Sequence, residues 1–269
     1  MIASRYVSPA VRERRRIAAP LALAAGLAWG VLALGDTDSA ALPICSAALL
    51  WSVPSPDAFA FFFSFVSPWS LAVGWAVMIV AMMLPTTCDQ LVHVRQSTLR
   101  CLRPYCLALF LGGYIGAWIL AGAVLLAAAV TVRIGSPKTV GPLAAALIVA
   151  LAWQASPWKQ SALNRSRRHP SLAAFAPAAY WSTLAFGVRH GLWCVASCWA
   201  LMAAALLVPD SQVAVMALIA AYIWAERSEP VRPPQWRMRL PTRTFRSMAW
   251  VASRRTTWAG SRGKRSSCE

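Results

Sequence analysis

The sequence predicts an all-α protein, a polytopic membrane helix bundle of about six transmembrane helices with both termini in the cytoplasm. Hydrophobic residues make up 58% of the 269 residues, charged residues only 13%, and the mean hydropathy is +0.53. A soluble domain of this length has far less apolar surface to bury. The apolar residues also occur in runs of about 15 to 26, long enough to cross ~30 Å of hydrocarbon at about 1.5 Å per residue.

Six of these runs are predicted to span the membrane. Because unpaired backbone polar groups are costly in lipid, each run must be helical. In chain order the runs are 17–34, 66–85, 105–130, 139–156, 191–208 and 211–225. Three shorter apolar pieces, 40–52, 59–65 and 173–187, are expected to form half-inserted or interfacial helices rather than further spans.

The distribution of cations predicts the orientation. Of the 26 lysines and arginines, all but Arg133 and Lys138 precede the first run, follow the sixth, or lie in the connections after the second and fourth runs. The positive-inside rule places these segments, and so both termini, in the cytoplasm. The first outer connection, 35–67, carries aspartates and no cation. The predicted topology is therefore internally consistent.

The chain divides into three predicted parts: a basic cytoplasmic segment (1–16), a transmembrane helical domain (17–227) and a basic cytoplasmic tail (228–269). The tail is rich in Pro, Arg, Ser and Thr without an apolar period, which predicts disorder. The net charge of +17 is explained by inner loops beside anionic lipid. No groove-reading motif accompanies the charge, so the lipid bilayer, and not nucleic acid, is the expected partner.

Soft metal ligands recur at helical spacing in two of the runs. In the fifth run, His190, Cys194, Cys198 and Met202 follow one another in i, i+4 steps along one face of a helix. The second run repeats the pattern with three methionines, Met78, Met82 and Met83. Imidazole, thiolate and thioether together select Cu(I) and, to a lesser degree, zinc over hard cations.

The two sets also match in depth. The second run enters the cytoplasm near Pro85 and the fifth leaves it near Gly191, so Met82 and Cys194 each lie about 5 Å from those ends at ~1.5 Å per residue. If the two helices are neighbours, thioethers and thiols converge at one level. The competing interpretation is packing, since Met is a common filler of apolar gaps and Cys behaves as a small buried hydrophobe.

Separated motifs carry a resemblance to a known family. They are Gly74-Trp75 through Met78, Ala81-Met82-Met83 with Pro85, Ser156-Pro157-Trp158-Lys159, His190 through Cys194, and Cys198 through Met202. Over about residues 74–230 the chain resembles the bacterial family of predicted metal-binding integral membrane proteins, a domain of unknown function. The resemblance implies a multi-pass protein of the bacterial inner membrane with candidate ligands at Met82, Met83, His190, Cys194 and Cys198.

The chain departs from that family pattern in ways that bear on the metal. Many relatives carry two loop cysteines where this chain has Ala162 and Ser166, and a Gly-Cys-Cys where it has Ala196, Ser197 and Cys198. A loop-based tetrathiolate zinc site is therefore not expected. The remaining sulfur-mixed set favours Cu(I), makes zinc less favoured, and leaves open that no metal binds at all.

Three functions remain open from the sequence. The favoured one is an integral membrane protein that binds a soft metal, preferably Cu(I), for metal handling or delivery to a metallochaperone or metalloenzyme partner. The alternatives are a structural or assembly subunit of a membrane complex, whose sulfur residues only pack, and a small-solute permease. No Walker loop, nucleophile elbow or zinc-protease motif occurs, and we expect no enzyme.

Overall fold

The computed structural model describes residues 9–37, 68–135, 141–208, 212–238 and 241–242. Within these ranges all regular structure is helical, which confirms the predicted all-α class. The helices are α1 (Pro9–Thr37), α2 (Pro68–Met83), α3 (Cys88–Ser97), α4 (Arg103–Gly135), α5 (Gly141–Ala155), α6 (Pro157–Ser166), α7 (Ala178–Leu206) and α8 (Gln212–Ser228). A 3-10 turn, Leu84–Thr87, joins α2 to α3.

Four helical segments are long and apolar enough to cross a membrane. They are Val11–Leu34, Ala72–Ser97, Arg103–Ala129 and Ala178–Leu206, and they contain most of the first, second, third and fifth predicted runs. The fourth and sixth runs form the shorter helices α5 and α8, of 15 and 17 residues. Six spans and cytoplasmic termini therefore stay predictions.

Two helices extend further than the sequence predicted. The interfacial helix expected at 173–187 is wrong from Ala178 onward, because α7 runs without interruption from Ala178 to Leu206. Polar residues such as Ser182 lower the hydropathy there, but the Ser182 hydroxyl donates to the carbonyl of Ala179 at 3.1 Å and is tolerated within the helix. The second run likewise continues past Pro85 through the 3-10 turn, where a proline near the start of a helix loses no hydrogen bond.

Two of the shorter apolar pieces, 40–52 and 59–65, lie outside the described residues, as does the tail beyond 242. The first residues of the tail contact the junction of α5 and α6. The Arg237 backbone N–H donates to the carbonyl of Ala155 at 3.0 Å, and Asn164 donates to the carbonyl of Arg232 at 2.8 Å. This contact attaches the segment after α8 to α5 and α6.

The closest helix pair in the described part of the chain is α4 with α7. Glycines permit the approach: a Cβ added at Gly187 would meet the backbone carbonyl of Phe110, and one at Gly191 would lie 2.8 Å from Cβ of Ala117. Small residues at such crossings let backbones come close, which is the usual basis of helix association in lipid. The α4–α7 pair is thus the most extensive helix contact in the described part of the chain, while α1 packs against α2, α3 and α8.

In the described part of the chain the helices enclose three hydrophobic clusters, of which two are large. The first, here called the sulfur core, includes Met78, Met82, Met83, Tyr114, Trp118, Cys194, Cys198, Met202 and Met216. The second core includes Ile17, Leu21, Leu84, Cys88, Leu91, Val94, Cys106, Phe110, Ala179 and Phe186. Exposed ion pairs lie beside the second core, among them Arg14 with Asp89 at 3.1 Å.

Candidate metal centre

The methionines of α2 point into the protein rather than toward lipid. Met78, Met82 and Met83 are each buried to 1% exposure or less. Their position near the end of α2 is fixed from another helix, because the indole N–H of Trp224 on α8 donates to the carbonyl of Met82 at 2.7 Å. The thioethers therefore extend from a backbone that is attached to α8 just before the turn at Pro85.

The candidate ligands of α7 are buried as well. His190, Cys194, Cys198 and Met202 each have an exposed fraction of 2% or less, in keeping with their common helix face. Both thiols are free. The Cys198 thiol donates to the carbonyl of Cys194 at 2.9 Å, so the two cysteines occupy successive turns of the same face.

The two sets of sulfur residues meet in one core, although their helices are not close backbone neighbours. In the described part of the chain, α2 packs against α1, α4 and α8, whereas α7 packs against α4, α5, α6 and α8. Tyr114 and Trp118 of α4 and Met216 of α8 complete the core between them. From the sequence, the sulfur residues were expected to meet only if the second and fifth helices were direct neighbours. They meet instead in a core to which α4 and α8 also contribute.

That the sulfur residues of α2 and α7 lie at the same depth in a membrane stays a prediction. Counted along the helical segments, Met82 lies about 15 residues from Ser97 and Cys194 about 16 residues from Ala178, or roughly 24 Å at the rise of an α-helix. Both ends moved outward by a similar length. Met82 thus lies at the end of α2, just before the 3-10 turn, whereas Cys194 lies near the middle of α7.

Cys194 has the most distinctive environment in the sulfur core. Its Sγ lies 3.3 Å from the hydroxyl of Tyr114 and accepts a hydrogen bond from Nη2 of Arg227 at 2.9 Å. A thiolate, not a thiol, is the form of cysteine that binds a metal. A guanidinium next to a buried sulfur supplies the balancing charge that a thiolate needs in an apolar surrounding.

Arg227 is held by a polar network at the end of α8. The carbonyls of Glu226 and Arg227 accept from Nη2 of Arg167 at 3.3 and 3.1 Å. The Glu226 carboxylate pairs with the Lys159 ammonium at 2.6 Å, and Lys159 is only 2% exposed. Burial lowers the pKa of Lys159, while Glu226 opposes that shift. Gln154 also accepts from Lys159.

The Ser-Pro-Trp-Lys motif explains how α6 reaches this network. The Ser156 side chain accepts from the backbone N–H of Lys159 at 3.2 Å and so caps the helix, and Pro157 occupies its first turn. Both features favour a helix start at this point. The motif therefore fixes the helix that carries Lys159 to Glu226.

His190 lies outside the sulfur core itself, at its margin. The ring stacks on Tyr114 with centroids 5.6 Å apart and also packs near Phe110 and Phe186. Within the described residues, neither ring nitrogen makes a hydrogen bond of good geometry, although the backbone of Ser166 lies beside the ring. A buried imidazole without such a bond is unusual, because buried polar groups are normally paired. The ring lines a cleft that also contains Trp193.

The ligand types in this region restrict the metal. No group of three or more His, Cys, Asp or Glu residues that could hold a metal occurs among the described residues. A conventional zinc site needs four such ligands, so any site formed by the described side chains must draw on thioether sulfur. Thioether with thiolate is the combination suited to Cu(I).

Sequence reasoning missed four residues that surround these sulfurs. Arg227 and Glu226 follow the sixth apolar run and resembled the start of a basic tail, while Tyr114 is an ordinary aromatic residue within an apolar run. Lys159 belonged to a motif that carried no chemical assignment. A signal was available only for Lys159, because a lysine two residues after a helix-initiating proline in an apolar chain invites a search for a buried acid.

One family model matches the chain. It is PpoB2, described as a copper chaperone, and it matches residues 72–243, well over half the chain, from within α2 through the end of α8. No curated protein and no solved structure matches the chain. The match supports a copper-related family, in agreement with the metal favoured by the ligand chemistry.

Proposed function

The chain belongs to the PpoB2 copper chaperone family, and on that premise we propose that it holds one Cu(I) ion in the sulfur core and delivers it to a partner protein. Family membership indicates copper handling, and the four long apolar helices are compatible with a membrane protein. The proposal adds the location of the ion, its ligands and its setting in a bacterial inner membrane.

One observation carries the proposal: a buried cysteine with a guanidinium at its sulfur lies in the same core as three buried methionines. The Sγ of Cys194 is 2.9 Å from Nη2 of Arg227. A cysteine that merely packs needs no charged donor. Removing an unpaired arginine from water costs on the order of several kcal/mol. The arrangement is intelligible if Cys194 acts as a thiolate ligand.

We assign the ligand roles by chemistry. Cys194 and Cys198 supply thiolate, and the methionine thioethers supply neutral sulfur that stabilises the +1 ion without adding charge. His190, one helical turn from Cys194, is assigned to the approach of the ion rather than to its final position. The candidate thioethers are Met78, Met82, Met83 and Met202. The role is binding and delivery, with no catalytic step, and the receiving partner is a metallochaperone or metalloenzyme.

The decisive experiment compares two pairs of buried cysteines. In the purified protein under reducing conditions, Cys194→Ala with Cys198→Ala should lower Cu(I) affinity by at least about 100-fold, which is ~2.7 kcal/mol. The matched control removes Cys88 and Cys106, which are also buried and free but belong to the second core. Affinity is measured by competition with a chromophoric Cu(I) chelator, with elemental analysis of the bound metal.

A structural or assembly subunit is the second candidate, and one observation favours it. The methionines fill a well-packed core, which is a sufficient reason for their presence. In that case the protein binds no stoichiometric copper, and both cysteine pairs can be removed with equal and small effects. Equal affinity in the two double variants would refute the copper proposal. The permease alternative requires a polar cavity across the bilayer and gains no support from a copper chaperone family.

A further inference from the structure

A basic cleft opens beside the sulfur core, between the end of α6 and the middle of α7. Its volume is about 420 Å³, within the range of small-molecule sites. Arg165, Arg168 and Arg189 line it, together with His169, His190 and Trp193. The Arg165 guanidinium lies 4.7 Å from the centre of the Trp193 ring, which orients it along the cleft wall.

The positive charge of the cleft is not balanced within the described residues. None of its three arginines makes an ion pair there, and all three are exposed. The nearby acid Asp89 is paired with Arg14 at 3.1 Å. Burial, with a smaller effect of the neighbouring His93, lowers the pKa of His169, so this ring adds no charge at neutral pH. Three guanidinium groups therefore face an open space.

The floor of the cleft leads to the sulfur core. His190 is 2% exposed, and in the described part of the chain its ring nitrogens make no hydrogen bond of good geometry, with the backbone of Ser166 beside the ring. Tyr114 links the two regions, since its ring stacks on His190 and its hydroxyl lies 3.3 Å from Sγ of Cys194. An ion released at the floor is one helical turn from the candidate thiolate.

This charge is the wrong sign for a bare cuprous ion. Like charges repel, and a cleft of one sign enriches ligands of the opposite sign. Arginine forks are suited to carboxylates, which they bind through two parallel hydrogen bonds. A copper ion can approach such a cleft if it arrives inside a complex whose net charge is negative.

We propose that the cleft binds an anionic, carboxylate-bearing low-molecular-weight thiol complex of Cu(I) and is the loading site of the sulfur core. The inference rests on the proposed function and names the form in which the ion arrives. The arginines hold the carboxylates of the carrier, and His190 receives the ion at the floor.

The transfer is a ligand exchange without electron movement. A bond between Cu(I) and the carrier sulfur breaks as a bond between Cu(I) and a ring nitrogen of His190 forms, and that bond breaks in turn as one between Cu(I) and Sγ of Cys194 forms. Copper remains in the +1 state. The carrier leaves as a thiolate and the Cys194 thiolate, paired with Arg227, takes its place on the ion, so charge balances without a proton transfer.

The test compares two copper donors on the full chain in nanodiscs of neutral phospholipid. One donor is Cu(I) complexed by glutathione, a thiol with two carboxylates, and the other is Cu(I) complexed by acetonitrile, an uncharged ligand. The variant Arg168→Gln with Arg189→Gln should slow transfer from the glutathione complex by ~10-fold or more, with transfer from the uncharged complex unchanged or faster.

The matched control is Arg12→Gln with Arg100→Gln, which removes the same charge from exposed arginines outside the cleft. Its transfer rate from the glutathione complex should stay within about twofold of the unaltered protein, because steering depends on local charge. Loss of rate in this control would overturn a role specific to the cleft. Equal effects of the cleft variant on both donors would do the same.

The headgroup of an anionic lipid is the other ligand that three arginines could bind, and nanodiscs that contain such a lipid test it. If nanodiscs containing phosphatidylglycerol abolish the difference between cleft variant and unaltered protein, the cleft is a lipid headgroup site and the loading proposal is wrong. Equilibrium Cu(I) affinity separates the two proposals. Unchanged transfer rates with a normal affinity refute only the loading site, whereas an affinity that does not depend on Cys194 and Cys198 refutes the copper function itself.

Discussion

The sulfur core and the second core are built by the same long helices, yet they differ in chemistry. Each contains two buried cysteines, Cys194 and Cys198 in one and Cys88 and Cys106 in the other. All the buried methionines of the described residues lie in the sulfur core: Met78, Met82, Met83, Met202 and Met216. If methionine were only filler, the second core would also use it. This separation indicates that the methionines are specific to the sulfur core and are not used wherever an apolar gap must be filled.

The charged groups around the two cores differ as well. The ion pair beside the second core, Arg14 with Asp89, has side chains that are 64% and 60% exposed. The pair near the sulfur core, Lys159 with Glu226, is 2% and 15% exposed. Exposed pairs contribute little to stability, whereas loss of one partner of a buried pair is costly. The sulfur core is therefore the region whose polar surroundings are under structural constraint.

Breaking the buried ion pair near the sulfur core should cause the greatest loss of stability. Lys159→Met leaves the Glu226 carboxylate buried without its partner and should destabilise the folded protein by about 3–5 kcal/mol. Thermal unfolding in detergent, followed by tryptophan fluorescence, measures the loss. Asp89→Asn, which breaks the exposed pair, is the control and should cost less than ~1 kcal/mol. Restoration by the double variant Lys159→Met with Glu226→Gln would identify the unpaired charge as the cause.

A second variant tests whether the thioethers of the sulfur core bind Cu(I) or only pack. Replacing Met78, Met82 and Met83 together by Leu keeps apolar volume but removes three thioethers, and volume-conserving swaps usually cost less than ~1.5 kcal/mol each. We expect a folded protein with Cu(I) affinity reduced by about 100-fold, or ~2.7 kcal/mol. Met216→Leu, in the same core but not proposed as a ligand, is the control. Competition titration provides the measurement, and full affinity in the triple variant would assign these methionines to packing alone.

A third variant tests whether the second core supports the fold without taking part in copper binding, and its expected effect on stability is smaller. Gly187→Ala places a Cβ against the backbone carbonyl of Phe110, which cannot rotate away, and overpacking of this kind costs about 1–3 kcal/mol. Gly116→Ala on α4 meets nothing within 4 Å and should be neutral or stabilising. Thermal unfolding compares the two. Copper affinity of the folded Gly187→Ala protein should be retained, and a large loss would show that the two cores are not independent.

How far the sequence predicts this arrangement depends on which interactions are local. Helical periodicity predicted that His190, Cys194, Cys198 and Met202 share a face, and their burial agrees. Arg227 could not be predicted, because a cation after the last apolar run resembles a topology signal until α8 is placed against α7. The start of α7 was misjudged because a hydropathy window cannot see that the hydroxyl of Ser182 is satisfied within the helix.

The smallest expected effect concerns one contact of Cys194. Tyr114→Phe removes the hydroxyl that lies 3.3 Å from Sγ but leaves the ring against His190 and the Arg227 donor in place. A single hydrogen bond contributes about 0.5–1.5 kcal/mol, so Cu(I) affinity should change by roughly tenfold or less. Tyr105→Phe, at an exposed position on the same helix, is the control and should have no effect. A change above 100-fold would mean that the Tyr114 oxygen itself is a ligand.

The end of α8 touches both halves of the sulfur core within a single helical turn. Trp224 donates to the backbone of Met82, and Arg227 reaches the sulfur of Cys194. A shift of this turn along or about its own axis alters both contacts together, because Trp224 and Arg227 belong to the same turn. If the core holds an ion as proposed, movement of this short segment, which Lys159 and Arg167 connect to α6, would release it.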